Sequence, residues 1–256
     1  MTDAAAPSSH AGSTGGPCTA VVIGASGGVG RALCEQLRGD ARYAQVLALG
    51  RPPAQHASGG VDITLDITDE ASIEAAAAQV ARAVERSGAE LRLVIDATGF
   101  LHGNGFEPEK TWRQIDAAHM AHAFAVNAIG PALLMKHVLP LLPRSGRALF
   151  ASLSAKVGSI GDNRLGGWYS YRASKAALNQ LVHTAAIELA RRQPQAICVA
   201  LHPGTVATRL SGPFSKSGLQ VQTPAQCAAS VLATLDGLRE TDSGGFFNHR
   251  GEALPW

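Results

Sequence analysis

The chain has 256 residues, of which 46% are hydrophobic, 16% are charged and 5% are aromatic. This balance is that of a globular protein, and it excludes a fibrous or wholly disordered chain. The formal net charge of +2 comes without a run of Lys and Arg, so the sequence lacks the electrostatic footprint of a protein that binds nucleic acid or an anionic membrane. Small molecules are therefore the expected partners.

The N-terminal 17 residues lack the basic start and the continuous apolar core of a secretory signal. We predict a disordered leader at residues 1–17 and a single domain at residues 18–256. No segment approaches the roughly 20 apolar residues of a membrane-spanning helix, which makes the cytoplasm the expected location. The four cysteines are widely spaced, so we expect free thiols rather than a disulfide framework or a zinc site.

From Thr19 onward, short apolar runs alternate with longer segments of helical periodicity, which is the pattern of βαβ units around a parallel sheet. The predicted strands are residues 20–23, 45–49, 61–65, 91–95, 148–153, 197–201 and 245–248. The predicted helices are residues 29–38, 69–86, 111–137, 168–192 and 224–238. The third helix is predicted to bend near Gly130 and Pro131, because proline removes a backbone donor. The fold class predicted is α/β, a Rossmann-type doubly wound parallel sheet of about seven strands with helices on both faces.

A glycine-rich loop joins the first predicted strand to the first helix, the context in which such loops bind the pyrophosphate of a dinucleotide. Gly24 permits the tight turn, Gly28 lets backbone amides approach the phosphates, and Gly30 lets the helix pack on the strand. An ordinary tight turn is the alternative. The predicted cofactor-binding residues of this loop are Gly24, Ser26, Gly27, Gly28, Val29 and Gly30.

The end of the second predicted strand carries Gly50 and Arg51 and no carboxylate. An acidic residue there would bind the ribose hydroxyls of NAD, whereas a basic residue accommodates the 2′-phosphate of NADP. We therefore expect NADP(H) to be preferred, with Arg51 pairing the phosphate and NAD(H) as the second cofactor that the sequence allows. The alternative is that Arg51 is a solvated loop residue.

Tyr171 and Lys175 are four residues apart on a predicted helix, and so lie on one face. A phenol with a pKa of about 10 is a poor acid or base near neutrality, and a neighbouring ammonium favours the phenolate and lowers that pKa. Tyr169 is a second phenol without a Lys four residues later, so we predict that it is a packing or pocket-wall residue. The pair predicts a centre for proton transfer.

The Gly-x-x-x-Gly-x-Gly spacing of residues 24–30 and the Tyr-x-x-x-Lys motif with its Ser-Lys-Ala-Ala-Leu continuation resemble the short-chain dehydrogenase/reductase family. Residues 158–163 and 166–175 are most similar to its C-factor-like subgroup. The resemblance implies an NADP(H)-dependent oxidoreductase that transfers hydride between nicotinamide and a carbonyl or alcohol. It also implies a homodimer or homotetramer that pairs the helices near residues 115–139 and 171–190. Because the subgroup is linked to cell-cell signalling, a cofactor-sensing or signalling protein with little turnover is the alternative.

The resemblance also implies four catalytic residues. Tyr171 is the expected acid or base, and Lys175 is expected to lower its pKa and to bind the nicotinamide ribose. Asn127 matches the family's helix asparagine, which distorts the helix and holds a water of the proton relay; a buried, satisfied asparagine is the alternative. Ser154 is the expected catalytic serine, although it precedes Tyr171 by 17 residues where the family has about 13. Ser159, which precedes Tyr171 by 12, is its competitor.

Further cofactor contacts follow from the same resemblance. Asp66 and Ile67 match the family's adenine-contacting pair, with a helix cap as the alternative. The loop after the fourth strand departs from the family's Asn-Asn-Ala-Gly, and the segment after the sixth strand matches its Pro-Gly-x-Val-x-Thr. The contacts implied by these two segments are Ala97, Thr98, Gly99, Pro203, Gly204, Val206 and Thr208.

The substrate does not follow from the sequence. Candidates for the pocket are His102, Trp168 and residues 210–222, which are apolar enough for a lid. His119 and His122 have the spacing of metal ligands on a helix, but no third ligand has suitable spacing. We therefore predict no metal site and place both histidines on the helix surface.

Overall fold

The computed structural model of the protein describes residues 16–51, 62–208, 210 and 221–256. The predicted leader, the loop after the second strand and the predicted lid are therefore largely outside the described residues. The strands are β1 Cys18–Ile23, β2 Tyr43–Gly50, β3 Ile63–Thr64, β4 Glu90–Asp96, β5 Ala148–Leu153, β6 Ala196–His202, β7 Thr205–Val206, β8 Val221–Gln222 and β9 Phe246–Asn248. The α-helices are α1 Gly28–Arg38, α2 Glu70–Ser87, α3 Ala117–Phe124, α4 Gly130–Val138, α5 Tyr169–Ala190 and α6 Pro224–Gly237.

Seven strands form one parallel sheet in the order β3-β2-β1-β4-β5-β6-β9, which confirms the predicted fold class. Side chains alternate between the faces of a strand. Val21 and Ile23 of β1 therefore pack on one face with α2, α4 and α5, while Ala20 and Val22 pack on the other with α1 and α6. Burial on both faces explains why the strands are continuous apolar runs.

The third helix, predicted over residues 111–137 with a bend near Gly130 and Pro131, begins only at Ala117 and is irregular in its middle. The chain forms a short 3₁₀ turn at Trp112–Gln114, then α3, a π-helical segment at Ala125–Ile129, and α4. Helix α3 begins after Asp116, whose carboxylate accepts from the backbone N–H of His119 at 2.7 Å. The irregularity precedes Pro131, which has no N–H to donate to the preceding turn of the run.

The helical run Ala117–Leu141 is long and apolar enough, by length and composition alone, to cross a membrane. This corrects the expectation that no segment has that property. The run passes the test because the π-helical segment joins two short helices without a break. Its residues Leu134, Met135 and Val138 are buried in the core beside the sheet, which is the packing of a core helix.

Two features of the sheet were missed or misplaced. β3 has only two residues, whereas a strand over 61–65 was predicted, and Val61 is not among the described residues. β7 and β8 pair with each other in a separate two-stranded sheet. Strands of two residues have no periodicity, so a pattern of alternating side chains could not reveal them.

Candidate active site

The carboxyl ends of β1, β4 and β5 meet at one edge of the sheet. β1 lies beside β4 in the sheet. From β1 the successive strands β2 and β3 extend to one side, and from β4 the strands β5, β6 and β9 extend to the other. In open α/β sheets this switch point is where ligands bind. The edge therefore brings together the glycine-rich loop after β1, the Ala97–Gly99 loop after β4 and the serines after β5.

The glycine-rich loop has no room for side chains at two positions. Gly24 has φ +80°, and a Cβ there would lie 2.9 Å from the carbonyl atoms of Ala97. A Cβ on Gly30 would lie 2.3 Å from the carbonyl oxygen of Gly24. The N-cap residue Gly27 has no side chain with which to cap the first N–H groups of α1, and uncapped N–H groups at a helix N-terminus are donors that suit an anion.

The other members of the predicted phosphate site lie around this loop. Ser26, Gly27 and Gly28 are exposed, and Val29 is half-buried. A Cβ on Gly28 would lie 3.2 Å from the methyl group of Thr208. The segment after β6 thus reaches the phosphate loop.

Asp66 does not cap α2. Its carboxylate accepts from the backbone N–H of Thr68 at 2.9 Å and from its hydroxyl at 2.7 Å, whereas Asp69 caps the helix by accepting from Ala71. The bonds from Thr68, together with the charge of Arg51, hold the pKa of Asp66 below its usual value. The structure therefore brings Asp66 and Arg51 to the same part of the sheet edge, while Ile67 packs against the core.

Lys175 is buried, and its ammonium donates to the carbonyl oxygen of Leu153 at 2.8 Å. Burial lowers the pKa of Lys175 to about 8, against an opposing effect of Asp96. Burial raises the pKa of Tyr171 to about 12. This direction is opposite to the one predicted from the neighbouring ammonium, and its cause is the desolvation of the phenolate.

Asn127 is fully buried in the π-helical segment. Its Oδ1 accepts from the backbone N–H of Phe100 at 2.8 Å, and its Nδ2 donates to the Phe100 carbonyl at 2.8 Å and to the Ser174 hydroxyl at 3.0 Å. The helix is distorted at the predicted residue, and π-helical turns are frequent at functional sites. Asn127 ties the loop after β4 to helix α5.

The two candidate serines differ in their hydrogen bonds. Ser154 is buried and donates to Oδ1 of Asn179 at 2.6 Å. Ser159 is also buried; its hydroxyl donates to the carbonyl of Trp256 at 3.2 Å and accepts from the backbone N–H of Asp162 at 3.0 Å. Ser154 is therefore attached to α5, and Ser159 to the C-terminal residue.

The remaining pocket candidates lie on two sides of this edge. The ring of Trp168 lies edge-on to that of Tyr171, with centroids 6.2 Å apart. A Cβ on Gly99 would lie 3.9 Å from both the side chain of Leu210 and the ammonium of Lys175. Of the predicted lid, the structure thus places Leu210 beside the reaction centre. His102 is half-buried in the loop after β4.

The segment after β6 turns at Gly204, which has φ +81°. The amide of Gln222 donates to the carbonyl of Pro203 at 3.2 Å, and β7 pairs Val206 with Gln222. These contacts hold the predicted Pro-Gly-x-Val-x-Thr segment at the carboxyl end of β6.

This arrangement of sheet, loop and helix agrees with a comparison of the sequence with known families. The family model described as short chain dehydrogenase matches residues 18–217. The chain belongs to the short-chain dehydrogenase family.

Three similar proteins illustrate the relationship of this short-chain dehydrogenase. A 1-hydroxy-2-glutathionyl-2-methyl-3-butene dehydrogenase of Rhodococcus sp. (strain AD45) is 31% identical over 245 residues, which are 93% of this chain and 99% of that protein. The C-signal protein of Myxococcus xanthus is 36% identical over 143 residues, which are 56% of this chain and 81% of that protein. The NADPH-bound carbonyl reductase from chicken fatty liver has a TM-score of 0.82 at 30% identity, covering 94% of this chain and 99% of that chain.

A buried carboxylate that no sequence motif indicated lies at the start of α5 in this short-chain dehydrogenase. Glu109 accepts from the backbone N–H of Ser170 at 3.2 Å and from the Ser170 hydroxyl, and its backbone carbonyl accepts from Trp168. Because the first N–H groups of a helix lack partners within it, Glu109 acts as a cap supplied by a distant loop. No local motif could reveal this contact, since 61 residues separate the two partners.

The prediction that His119 lies on the helix surface is wrong. Its Nδ1 is 3.5 Å from the carboxylate of Glu109, and its ring stacks on Phe106 with centroids 5.0 Å apart. His119 is buried because the loop that carries Phe106 and Glu109 folds over α3, while His122 is half-buried. Within the described ranges, no three His, Cys, Asp or Glu side chains form a group suited to a metal ion.

Proposed function

We propose that this short-chain dehydrogenase is an NADP(H)-dependent enzyme that reduces a carbonyl substrate or oxidises the corresponding alcohol. The observation that carries the proposal is the placement of Tyr171 and Lys175 on one face of α5, with Lys175 held by the carbonyl of Leu153. They lie at the sheet edge that also carries the glycine-rich loop. A carbonyl reductase with bound NADPH is among its structural neighbours, which supports both the reaction and the cofactor.

The loop after β1 fits a dinucleotide. Gly24 and Gly30 let the loop pack closely on Ala97 and on itself, because a Cβ at either position would clash with backbone atoms, and the uncapped N-terminus of α1 suits a pyrophosphate. Arg51 would pair the 2′-phosphate, which makes NADP(H) the preferred cofactor, while Asp66 and Ile67 would face the adenine. The other proposed cofactor contacts are Ser26, Gly27, Gly28, Val29, Ala97, Thr98, Gly99, Pro203, Gly204, Val206 and Thr208.

NADPH, when bound, supplies the hydride that reaches the substrate carbon. Tyr171 holds the proton for the substrate oxygen, and its raised pKa keeps that proton in place at neutral pH. Lys175 binds the nicotinamide ribose, and its ammonium stabilises the phenolate left after the transfer. Ser154 orients the carbonyl. Such proton transfer contributes about two to four powers of ten in rate.

Asn127 is the proposed holder of the water that returns a proton toward Lys175. Both N–H groups of its amide are used by Phe100 and Ser174. Its Oδ1 accepts from Phe100, and an amide oxygen has two lone pairs. A water in the relay would therefore donate to the remaining lone pair of Oδ1.

Two broader proposals accompany the enzyme. We place it in the cytoplasm as a homodimer or homotetramer, following the family. The 36% identity to C-signal supports the second candidate function, a cofactor-sensing or signalling protein whose partner binding matters more than turnover.

The test combines cofactor binding with turnover. NADPH and NADH are titrated against the parent protein and Arg51→Ala, with Arg86→Ala, an exposed residue of α2, as the control for loss of a positive charge. We expect Arg51→Ala to weaken NADPH binding by about 10- to 100-fold, the range of a charge-assisted bond, and to leave NADH binding unchanged. Equal loss for both cofactors would contradict the role of Arg51.

Aldehydes, ketones and quinones are then screened with NADPH. We expect Tyr171→Phe to lower kcat by about 10²- to 10⁴-fold, while Tyr43→Phe, which removes a phenol from β2, retains the parent rate. Cofactor binding without turnover of any compound supports the signalling alternative. A parent-like rate for Tyr171→Phe beside a large loss for Tyr169→Phe would transfer the catalytic role to Tyr169.

A further inference from the structure

Asp96 and Lys175 are buried charges for which no ion pair within 4.0 Å is found among the described residues. Their exposed fractions are 1% and 2%. Glu109 provides the other fully buried carboxylate of the described residues, and its Oε1 lies 3.5 Å from Nδ1 of His119. Burying an isolated charge is costly unless another charge or hydrogen bonds compensate it. The two groups therefore raise the question of what stabilises each of them.

The backbone places Asp96 next to two segments that lie near the Lys175 ammonium. Asp96 of β4 is paired in register with Ser152 of β5, whose hydroxyl donates to its carboxylate at 2.7 Å. The next residue of β5, Leu153, provides the carbonyl that accepts from Lys175. On the other side, Gly99 approaches the ammonium: a Cβ there would lie 3.9 Å from Nζ.

The contacts of Asp96 suit an ionised carboxylate. Besides the Ser152 hydroxyl, it accepts from the backbone N–H of Thr98 at 3.0 Å and from the Thr98 hydroxyl at 2.6 Å. All three partners are donors, and an ionised carboxylate is a group that only accepts. Three hydrogen bonds thus hold the Asp96 carboxylate at the end of β4.

The groups around Lys175 come from several elements. Helix α5 carries Tyr171 one turn earlier, and β5 contributes the neutral carbonyl of Leu153. The 3₁₀ turn Lys156–Gly158 packs Gly158 against the Lys175 side chain, while the ammonium of Lys156 pairs with Asp162. The neutral Oδ1 of Asn127 lies, like the Lys175 ammonium, within 4 Å of where a Cβ on Gly99 would stand. β4 contributes Asp96, whose charge raises the pKa of Lys175 while burial lowers it to about 8. Without that charge, a larger fraction of Lys175 would be neutral near physiological pH.

We propose that Asp96 is a positioning residue for the reaction: its buried negative charge keeps Lys175 protonated across the sheet edge. The role of Lys175 in binding the ribose and stabilising the phenolate rests on the proposed function. Asp96 acts through Lys175 and need not touch the cofactor or the substrate.

Asp96→Asn tests this inference because the amide has nearly the same shape. Its Oδ1 can accept from Thr98 and its Nδ2 can donate to the Ser152 hydroxyl, so each partner keeps a hydrogen bond, the one to Ser152 with its direction reversed, while the charge is lost. Asp69→Asn is the matched control, since it also replaces a carboxylate with an amide, at the exposed N-cap of α2, where Asn is an equally good cap.

The dissociation constant of NADPH is measured by its fluorescence from pH 6 to pH 10 in the parent and both variants. We expect the affinity for NADPH to fall as the pH rises and Lys175 loses its proton. In Asp96→Asn this fall occurs at lower pH by about one pH unit, while the affinities at pH 6 agree. Asp69→Asn keeps the parent midpoint. Titration of the 2′-phosphate is common to all three proteins and leaves the comparison unaffected.

Lys175→Met separates an electrostatic role from a merely structural one. In the Lys175→Met variant, the fall in NADPH affinity that is assigned to deprotonation of Lys175 disappears. Adding Asp96→Asn to this variant is expected to leave its NADPH affinity unchanged at every pH. An unshifted midpoint in Asp96→Asn, or the same effect of Asp96→Asn with and without Lys175, overturns the inference. If Asp96→Asn does not fold by circular dichroism, Asp96→Ser replaces it. Absence of NADPH binding in the parent at every pH contradicts the proposed function instead.

Discussion

The hydroxyl of Ser154 donates to Oδ1 of Asn179 at 2.6 Å, which joins the end of β5 to helix α5 eight residues beyond Tyr171. A hydroxyl has one proton to donate, so Ser154 must release Asn179 before it can donate to a substrate carbonyl. Asn179 also has a buried Nδ2 without a hydrogen-bond partner in the described structure. Breaking the hydrogen bond between Ser154 and Asn179 is therefore part of the free-energy cost of using Ser154 in catalysis.

Alanine substitutions distinguish the two candidate serines. We expect Ser154→Ala to lower kcat/KM on the order of 100-fold, the loss typical of one donor to a developing oxyanion. Ser159→Ala is expected to keep the rate but to lower the free energy of unfolding by about 1 kcal/mol, because it loses its bonds to Trp256 and Asp162. Steady-state kinetics and denaturant titrations measure both effects. The reverse pattern would assign the catalytic role to Ser159.

Removing the Glu109 carboxylate should loosen the start of α5. Glu109→Ala leaves the backbone N–H and hydroxyl of Ser170 without their partner, and we expect the free energy of unfolding to fall by about 1–3 kcal/mol. Because Tyr171 lies in the same first turn, kcat should fall as well. Glu107→Ala, at an exposed position two residues earlier, is the control. Equal stability of the two variants in guanidinium chloride would show that the cap is unimportant.

Lys175 should make the protein less stable at neutral pH than on the alkaline side. Its pKa falls from 10.5 to about 8 in the folded state, so between these values the unfolded chain binds more protons and stability rises with pH. Lys175→Met should therefore be more stable than the parent at pH 7, by about 3 kcal/mol from this shift. That advantage should shrink as the pH rises above 8.

Chemical denaturation at pH 7, 8 and 9 measures this difference. Lys136→Met is the control, since Lys136 is exposed beside Glu70, which raises its pKa. Its effect on stability should be constant over the same range. If the effect of Lys175→Met is also independent of pH, Lys175 is not buried as the structure has it.

Much of the fold could be predicted because its signals are local. β5 is a run of six buried residues, and the predicted strand has the same bounds. Tyr171 and Lys175 could be placed because helical geometry relates residues four apart. A distortion of the helix at Asn127 was predicted by resemblance, although the pattern of residues 111–137 indicated a single helix with a bend only near Gly130 and Pro131.

Contacts between distant segments could not be predicted. Glu109 caps a helix 61 residues away, and Asp96 bonds Ser152 at a distance of 56 residues. Both carboxylates stand in polar loops or at a strand end, where a sequence pattern indicates exposure. The pKa of Tyr171 was predicted in the wrong direction for a related reason, since burial depends on the tertiary fold.

The anchor of the Lys175 ammonium belongs to the polypeptide backbone. Because the acceptor is the carbonyl of Leu153, no replacement of the Leu153 side chain can delete it. Position 153 is therefore free to vary among apolar residues of similar volume during evolution or in a mutant library. The anchor would be lost only if the end of β5 shifted its register against its neighbours.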